Sequence, residues 1–278
     1  MLKIDSDKII NILNNLNKLN ILVIGDVMID KYVWGKVERI SPEAPVPIVL
    51  IKNTEYRLGG AANVALNIKT LGANPFLFSV IGNDNTANIL KNILAENNIN
   101  NSFLIQSNNR ITTLKTRIIG NNFQMLRVDE EIDDNLTNDE ENLLLYKIRS
   151  FIETNNINCI LFEDYDKGII SNFLISEIIK IANKYSIHTA VDPKYKNFNY
   201  YKNISLFKPN LKEIKEGLKL DLQDISNDTL NKISQIIHNE FNIDTLLLTL
   251  SEKGIYYSNK KNNCSNTIPA ILRNIADV

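Results

Sequence analysis

Short runs of apolar, mostly branched residues alternate along this chain with stretches of helical periodicity, and that alternation leaves few folds open. Residues 21–25, 76–82, 159–162, 189–191 and 245–250 are apolar at almost every position and stop abruptly at polar residues or glycine. A strand apolar on both sides of its pleat is buried on both faces, as in a parallel sheet. Residues 61–71, 86–96, 138–154, 171–185 and 226–241 lie between or after these runs and carry the spacing of amphipathic helices. Strand and helix in repetition predict an α/β fold with a mostly parallel central sheet and helices on both faces.

Two segments break the rhythm. Residues 31–37 with 48–57, and 111–119 with 124–129, read as strands with no helix between them, and Gly120-Asn121-Asn122 reads as a hairpin turn. They predict a small antiparallel β lid, drawn from about 31–57 and 111–129. No Ser- or Gly-rich linker separates it from the rest, so residues 1–278 are read as one domain with a lid.

Composition narrows the function. Lys and Arg number 31 against 32 Asp and Glu, a net charge of −1, whereas nucleic-acid and polybasic membrane binders rely on excess positive charge. No apolar stretch approaches the roughly 18 residues that span a bilayer, and residues 1–20 do not have the pattern of a secretion signal. Cys159 and Cys264 form no disulfide framework, and His188 and His238 stand far from both any cysteine cluster and each other, so a zinc site is not expected. A cytoplasmic setting is the expectation.

Ligands of open parallel sheets bind at the carboxyl ends of the strands. Those ends carry Asp26 and Asp30, then Glu163, Asp164, Asp166 and Lys167, then Asp192 and Lys194, then Asn210 and Glu213, then Ser251 and Gly254. Carboxylates with lysines suit a phosphorylated ligand and a divalent cation; capping and ordinary loop polarity are the alternative for each residue taken singly. Gly59-Gly60 before a helix, with Asn63 one turn in, lets backbone N–H groups approach a ligand closely. Neither G-x-x-x-x-G-K-[ST] nor G-x-G-x-x-G is present, so a nucleotide would be held by other means.

Three strings occur close together: Ile24-Gly25-Asp26-Val27-Met28-Ile29-Asp30, Arg39-Ile40-Ser41-Pro42-Glu43-Ala44-Pro45-Val46-Pro47, and Gly59-Gly60-Ala61-Ala62-Asn63. Further on come Asp164-Tyr165-Asp166-Lys167-Gly168, Asp192-Pro193-Lys194 and Pro209-Asn210-Leu211-Lys212-Glu213. With these the chain resembles the ribokinase-like (PfkB) carbohydrate kinases from about residue 20 onward. The Ser41–Pro47 string is closest to the D-glycero-β-D-manno-heptose 7-phosphate kinases, which often precede an adenylyltransferase. The resemblance implies transfer of the ATP γ-phosphate to the anomeric hydroxyl of that sugar, with Mg²⁺, towards ADP-heptose and lipopolysaccharide core. It implies sugar contacts from Asp30, Gly59, Gly60 and Asn63, and nucleotide contacts from Asn210, Leu211, Lys212, Glu213, Thr249, Ser251 and Gly254, with Glu213 on the metal. Charge and position add Lys194 for the nucleotide phosphates, and Arg117 and Arg127 for the sugar phosphate. Arg127 to Glu131 also reads as a solvated ion-pair ladder.

The sequence departs from the family at Leu58, where proline is common, and at Leu250, where arginine is common. It also lacks the Gly-Ala-Gly-Asp segment whose aspartate is the family's base. The expectation is that the base lies beyond Val278, that the kinase domain is C-terminally incomplete, and that these residues alone turn over poorly. Alternatives are another PfkB sugar kinase, such as a fructokinase, and a non-catalytic sugar-phosphate binder. The lid strands, as an exposed small sheet, are a candidate homodimer contact.

Overall fold

The computed structural model describes residues 5–221 and 225–271; the chain's final Ala276-Asp277-Val278 lie outside them. In chain order, α1 (Ser6–Asn15) leads into β1 (Asn20–Gly25), β2 (Val27–Ile40), β3 (Pro47–Gly60) and α2 (Ala61–Thr70). Then follow β4 (Asn74–Gly82), α3 (Asn85–Glu96), β5 (Leu104–Ser107), β6 (Thr113–Gly120), β7 (Phe123–Glu130) and α4 (Asn138–Thr154). The rest comprises β8 (Cys159–Glu163), α5 (Asn172–Lys184), β9 (His188–Asp192), β10 (Leu206–Phe207), α6 (Leu211–Leu218), α7 (Asn227–Glu240), β11 (Thr245–Thr249), β12 (Ile255–Asn259) and β13 (Cys264–Ile268).

The main sheet runs β13-β12-β11-β10-β9-β8-β1-β4-β5 and is parallel from β11 to β5, with an antiparallel margin at β12 and β13. Because β1 has β8 on one side and β4 on the other, the strand order reverses there, and the crevice at its carboxyl end is where such sheets bind ligands. Alternation along β1 assigns the two cores. Leu22 and Ile24 pack with Phe162, Val191, Phe207, Leu246 and the buried sides of α4, α5, α6 and α7. Val23 packs on the opposite face with Ala61, Ala65, Leu90 and Leu94 of α2 and α3. Helices therefore cover both faces, as the apolar runs predict. Each apolar run sits in its strand, with ends shifted by one or two residues.

The helix starts follow from local chemistry. Thr137 and Glu140 form a reciprocal capping box at α4, and Asp84, Ser171 and Ser226 accept a backbone N–H at α3, α5 and α7.

The lid is a four-stranded sheet, β3-β2-β6-β7. Its two central strands pair in parallel and the outer pairs are antiparallel. Asn121 and Asn122 both take positive φ, 51° and 67°, as a two-residue hairpin turn requires. β2 and β3 are longer than the sequence pattern indicates, because they continue without a break into the base of the lid, where Ile29, Leu58 and Leu114 join the α2–α3 core. Among the described residues no helix is long and apolar enough to cross a membrane.

Candidate active site

The residues expected from the sequence to contact a sugar meet where β1 ends and the lid begins. Asp30 lies inside β2 rather than in a loop after β1, opposite Arg57 of β3 and level with Lys115 of β6. The glycine pair closes β3 against it. A Cβ on Gly59 would stand 2.6 Å from Asp30 Oδ2 and 2.6 Å from Met28 Cγ, so only glycine leaves room for the carboxylate. Gly60 has φ +54°, and a Cβ there would lie 2.3 Å from the Asp26 carbonyl oxygen, which accepts the Ala61 N–H at 2.9 Å. Asn63, exposed on the first turn of α2, lines with Asp30, Tyr32 and Arg57 a cavity of about 370 Å³.

Arg117 donates to Asp30 Oδ1, so the sequence-predicted sugar acceptor and phosphate clamp neutralise one another across 87 residues of chain. Burial works to lower the guanidinium's pKa, but the Asp30 hydrogen bond and charge hold it above its ordinary value. Arg127 is placed differently. It lies on edge strand β7 and donates to Asp129 at 3.0 Å. Asp129 and Glu131 in turn accept from Lys115 at 2.9 and 2.7 Å, and Glu131 from Lys167 of the loop after β8 at 2.6 Å. Residues 127–131 thus form the ion-pair ladder, and its last rung fastens the lid to the body.

Two carboxylates at the strand ends are internal struts. Asp26, 2% exposed, accepts the backbone N–H groups of Tyr165 at 2.7 Å and of Lys167 and Ile169 at 3.2 Å, fixing the loop after β8. Burial pushes its carboxyl up to about 6, the Asp164 charge adds to this, and the three N–H groups oppose it. Asp164, 1% exposed, accepts from Asn197 at 2.9 Å and from the Tyr201 hydroxyl at 2.8 Å.

The residues expected from the sequence to contact a nucleotide gather at the ends of β9, β10 and β11. Asn210 is the N-cap of α6 and Glu213 completes its capping box: Asn210 Oδ1 accepts the Glu213 N–H at 2.9 Å, and Glu213 Oε2 accepts the Asn210 N–H at 2.8 Å. The Asn-x-x-Glu spacing is thereby explained first as a helix start. The other oxygen of Glu213 accepts from Lys194, which also donates to Asp192 at 3.3 Å and sits 5.5 Å above the Tyr165 ring. Burial works to lower the Lys194 pKa, yet Glu213 and Asp192 hold the ammonium above its ordinary range. Lys208 reaches Asp192 at 2.7 Å.

The remaining nucleotide candidates divide by position. Thr249 bridges to Asn210 and donates its N–H to the Pro209 carbonyl at 3.1 Å, which joins the β11 end to the helix start. Ser251, with φ +53°, and Gly254, with φ +99°, shape the tight turn into β12, where a Cβ on Gly254 would meet the Ile268 carbonyl oxygen at 2.0 Å. Leu211 packs against the core, and Lys212 points outward towards Glu216. Two carboxylates, Asp192 and Glu213, converge beside Lys194. Mg²⁺ commonly takes one or two carboxylates and fills its shell with water and phosphate oxygens, so this donor set fits it; no all-protein cage of three or more His, Cys, Asp or Glu exists among the described residues.

Sequence reasoning misses Arg57, Tyr32 and Lys208. The first two come level with Asp30 and Arg117 only through the β2–β3 and β2–β6 registers, and the β2–β3 pairing has irregularities after Trp34 and Val37.

The model of the pfkB family carbohydrate kinases matches residues 18–278. The bifunctional protein HldE of Aliarcobacter butzleri is 40% identical over 261 residues, covering 94% of this chain and 53% of that protein. HldE of Helicobacter pylori strain J99 is 41% identical over 260 residues, 93% of this chain and 54% of its own. The chain thus spans about half the length of the curated relatives it matches. Among solved structures, the tetrameric inhibited form of phosphofructokinase-2 from Escherichia coli superposes with a TM-score of 0.73 at 19% identity, over 91% of this chain and 81% of that one. Arabidopsis thaliana ribokinase complexed with ribose and ATP gives 0.65 at 14% identity, over 91% and 78%. Fold, strand-end polarity and sequence match agree, and the chain belongs to the pfkB family of carbohydrate kinases.

Proposed function

We propose that this chain binds ATP and a phosphorylated sugar, and that it is the kinase part of an enzyme phosphorylating the anomeric hydroxyl of D-glycero-β-D-manno-heptose 7-phosphate, towards ADP-heptose and lipopolysaccharide core. The observation that carries the reading is a pair of charged clusters, Asp30 and Arg117 at the lid and Lys194, Asp192 and Glu213 at the α6 start, with Asp30, Lys194 and Asp192 all within electrostatic reach of Tyr165. Asp30 and Asn63 accept and donate to sugar hydroxyls, with Gly59 and Gly60 letting the sugar approach the backbone. Lys194 and the N-terminal N–H groups of α6 face phosphate charge. Asp192 and Glu213 would hold Mg²⁺, which when bound neutralises phosphate charge.

Exposed apolar side chains on lid edge strand β7, Phe123, Leu126 and Val128, support a homodimer formed through the lid. The HldE relatives at about 40% identity support the heptose substrate.

Calorimetric titration of the chain with heptose 7-phosphate, fructose and Mg·ATP tests the reading. Heptose 7-phosphate should bind more tightly than fructose, and Asp30→Ala should weaken it roughly tenfold or more while leaving ATP affinity unchanged. Equal affinity for fructose would point to a different sugar. Unchanged heptose 7-phosphate affinity in Asp30→Ala would remove the aspartate from the site.

A further inference from the structure

The lid carries a charged face that its register assembles from four strands. Asp30 lies opposite Arg57 and level with Lys115; Tyr32 lies opposite Glu55 and level with Arg117; Lys115 and Arg117 lie opposite Asp129 and Arg127. Side chains two apart on a strand share a face, so these residues stand together, while Ile29, Leu58 and Leu114 turn to the other face and into the α2–α3 core.

Within that face one arrangement stands out. The Arg57 guanidinium lies 4.6 Å from the centre of the Tyr32 ring and the Arg117 guanidinium 5.3 Å from it. Each is oriented by a carboxylate: Glu55 accepts from Arg57 Nε at 2.8 Å and from its Nη2 at 3.2 Å, and Asp30 accepts from Arg117. We propose that Arg57 and Arg117, ranged about Tyr32, are the pair that grips the terminal phosphate of the sugar and sets selectivity for a phosphorylated substrate. The proposal rests on the sugar-phosphate kinase reading and replaces Arg127 with Arg57 as the second arm of the clamp.

Three observations favour this pair. Arg57 is directly opposite Asp30 and lines the same cavity as Asp30 and Asn63, so a group bound there touches the sugar site. Arg127 sits two strands from Asp30, about 10 Å at ordinary strand spacing. Lys115, level with Asp30, presents an ammonium. Guanidinium forks also match phosphate oxygens two at a time, which an ammonium does not.

The Asp30–Arg117 pair gives the clamp a second role. With no ligand the two charges satisfy each other; a phosphate that draws Arg117 away leaves the Asp30 carboxylate to accept from sugar hydroxyls. A sugar lacking phosphate must break that pair without compensation. Discrimination therefore arises twice, once at the phosphate and once at the hydroxyls.

Trp34 is the chain's single tryptophan and stacks on Tyr32 with ring centres 6.2 Å apart, so its fluorescence reports on this face. The test titrates heptose 7-phosphate and the unphosphorylated heptose into the chain and into Arg57→Gln, Arg57→Lys and Arg117→Gln, with Mg·ATP affinity as the check that each variant is folded. Arg57→Gln should lose roughly tenfold to a hundredfold in heptose 7-phosphate affinity and little for the unphosphorylated sugar, and Arg57→Lys should recover only part. Arg117→Gln should lose phosphate selectivity and bind the unphosphorylated heptose more tightly than the unaltered chain does. If the unaltered chain is selective and Arg57→Gln keeps the full selectivity, the arginine pair is wrong and the kinase reading stands. If the unaltered chain binds no phosphorylated sugar, the kinase reading falls and the clamp with it.

Discussion

Glu163→Gln should stabilise the fold at alkaline pH and have little effect in acid. Glu163 ends β8 between Gly25 of β1 and Asp192 of β9, and it is only 7% exposed. Burial pushes its carboxyl from 4.5 up to about 7; the neighbouring Asp192 charge adds to the rise, while Lys208, Lys194 and a hydrogen bond from Tyr165 oppose it. Between those two values the folded chain holds the proton more often than the unfolded chain does. Stability attributable to this group therefore falls as pH rises from about 4.5 to about 7 and levels off above. The full shift corresponds to about 3 kcal/mol, and relaxation around the ionised carboxylate brings the expected gain from the neutral isostere to about 1–3 kcal/mol at pH 8. The assay is urea unfolding of both proteins at half-unit steps from pH 4 to pH 8.5. Their free energies should nearly coincide near pH 4.5 and separate steadily above it. A difference that does not change with pH would show that Glu163 is ionised throughout or that Gln disturbs the packing, and would refute the argument.

Asn210→Ala should cost about 1 kcal/mol through loss of the α6 cap, read as a lower urea midpoint, and weaken Mg·ATP while leaving heptose 7-phosphate affinity unchanged; equal losses for both ligands would place Asn210 outside the nucleotide side. The proposed lid-mediated homodimer predicts a concentration-dependent dimer by sedimentation, shifted towards monomer in Leu126→Lys; a monomer at every concentration would remove the homodimer from the functional reading.

Periodicity and capping are local properties, and the parts of this protein that depend on them are legible in the chain. The apolar runs at 21–25 and 159–162 mark strands buried on both faces because no polar side chain interrupts them, and the α4 boundaries at 138 and 154 follow from the Thr137–Glu140 capping spacing and a continuous helical pattern. Gly59-Gly60 reads in sequence as a close backbone approach to a ligand; the structure sets the Asp30 carboxylate beside Gly59 and the Asp26 carbonyl beside Gly60. The short β5 and the β12–β13 hairpin escape the pattern because β5 has only two apolar residues and β12 and β13 mix apolar with polar residues, which leaves little apolar contrast.

What tertiary structure alone decided is which charges meet. Asp30 and Arg117 are 87 residues apart, Lys194 and Glu213 are 19 apart, and each pairing depends on strand order and register rather than on any local spacing. Asp26 and Asp164 look in sequence like site carboxylates, but the sheet turns both inward, where backbone N–H groups, Asn197 and Tyr201 satisfy them. Arg57 has no motif of its own; it comes beside Asp30 because β3 pairs antiparallel with β2 in the one register that sets it opposite that residue. A one-residue slip of that pairing would turn its side chain to the other face of the lid. Residue type and local spacing determine which elements form and where they start, whereas the sign and position of charge across the crevice depend on distant strands coming into register.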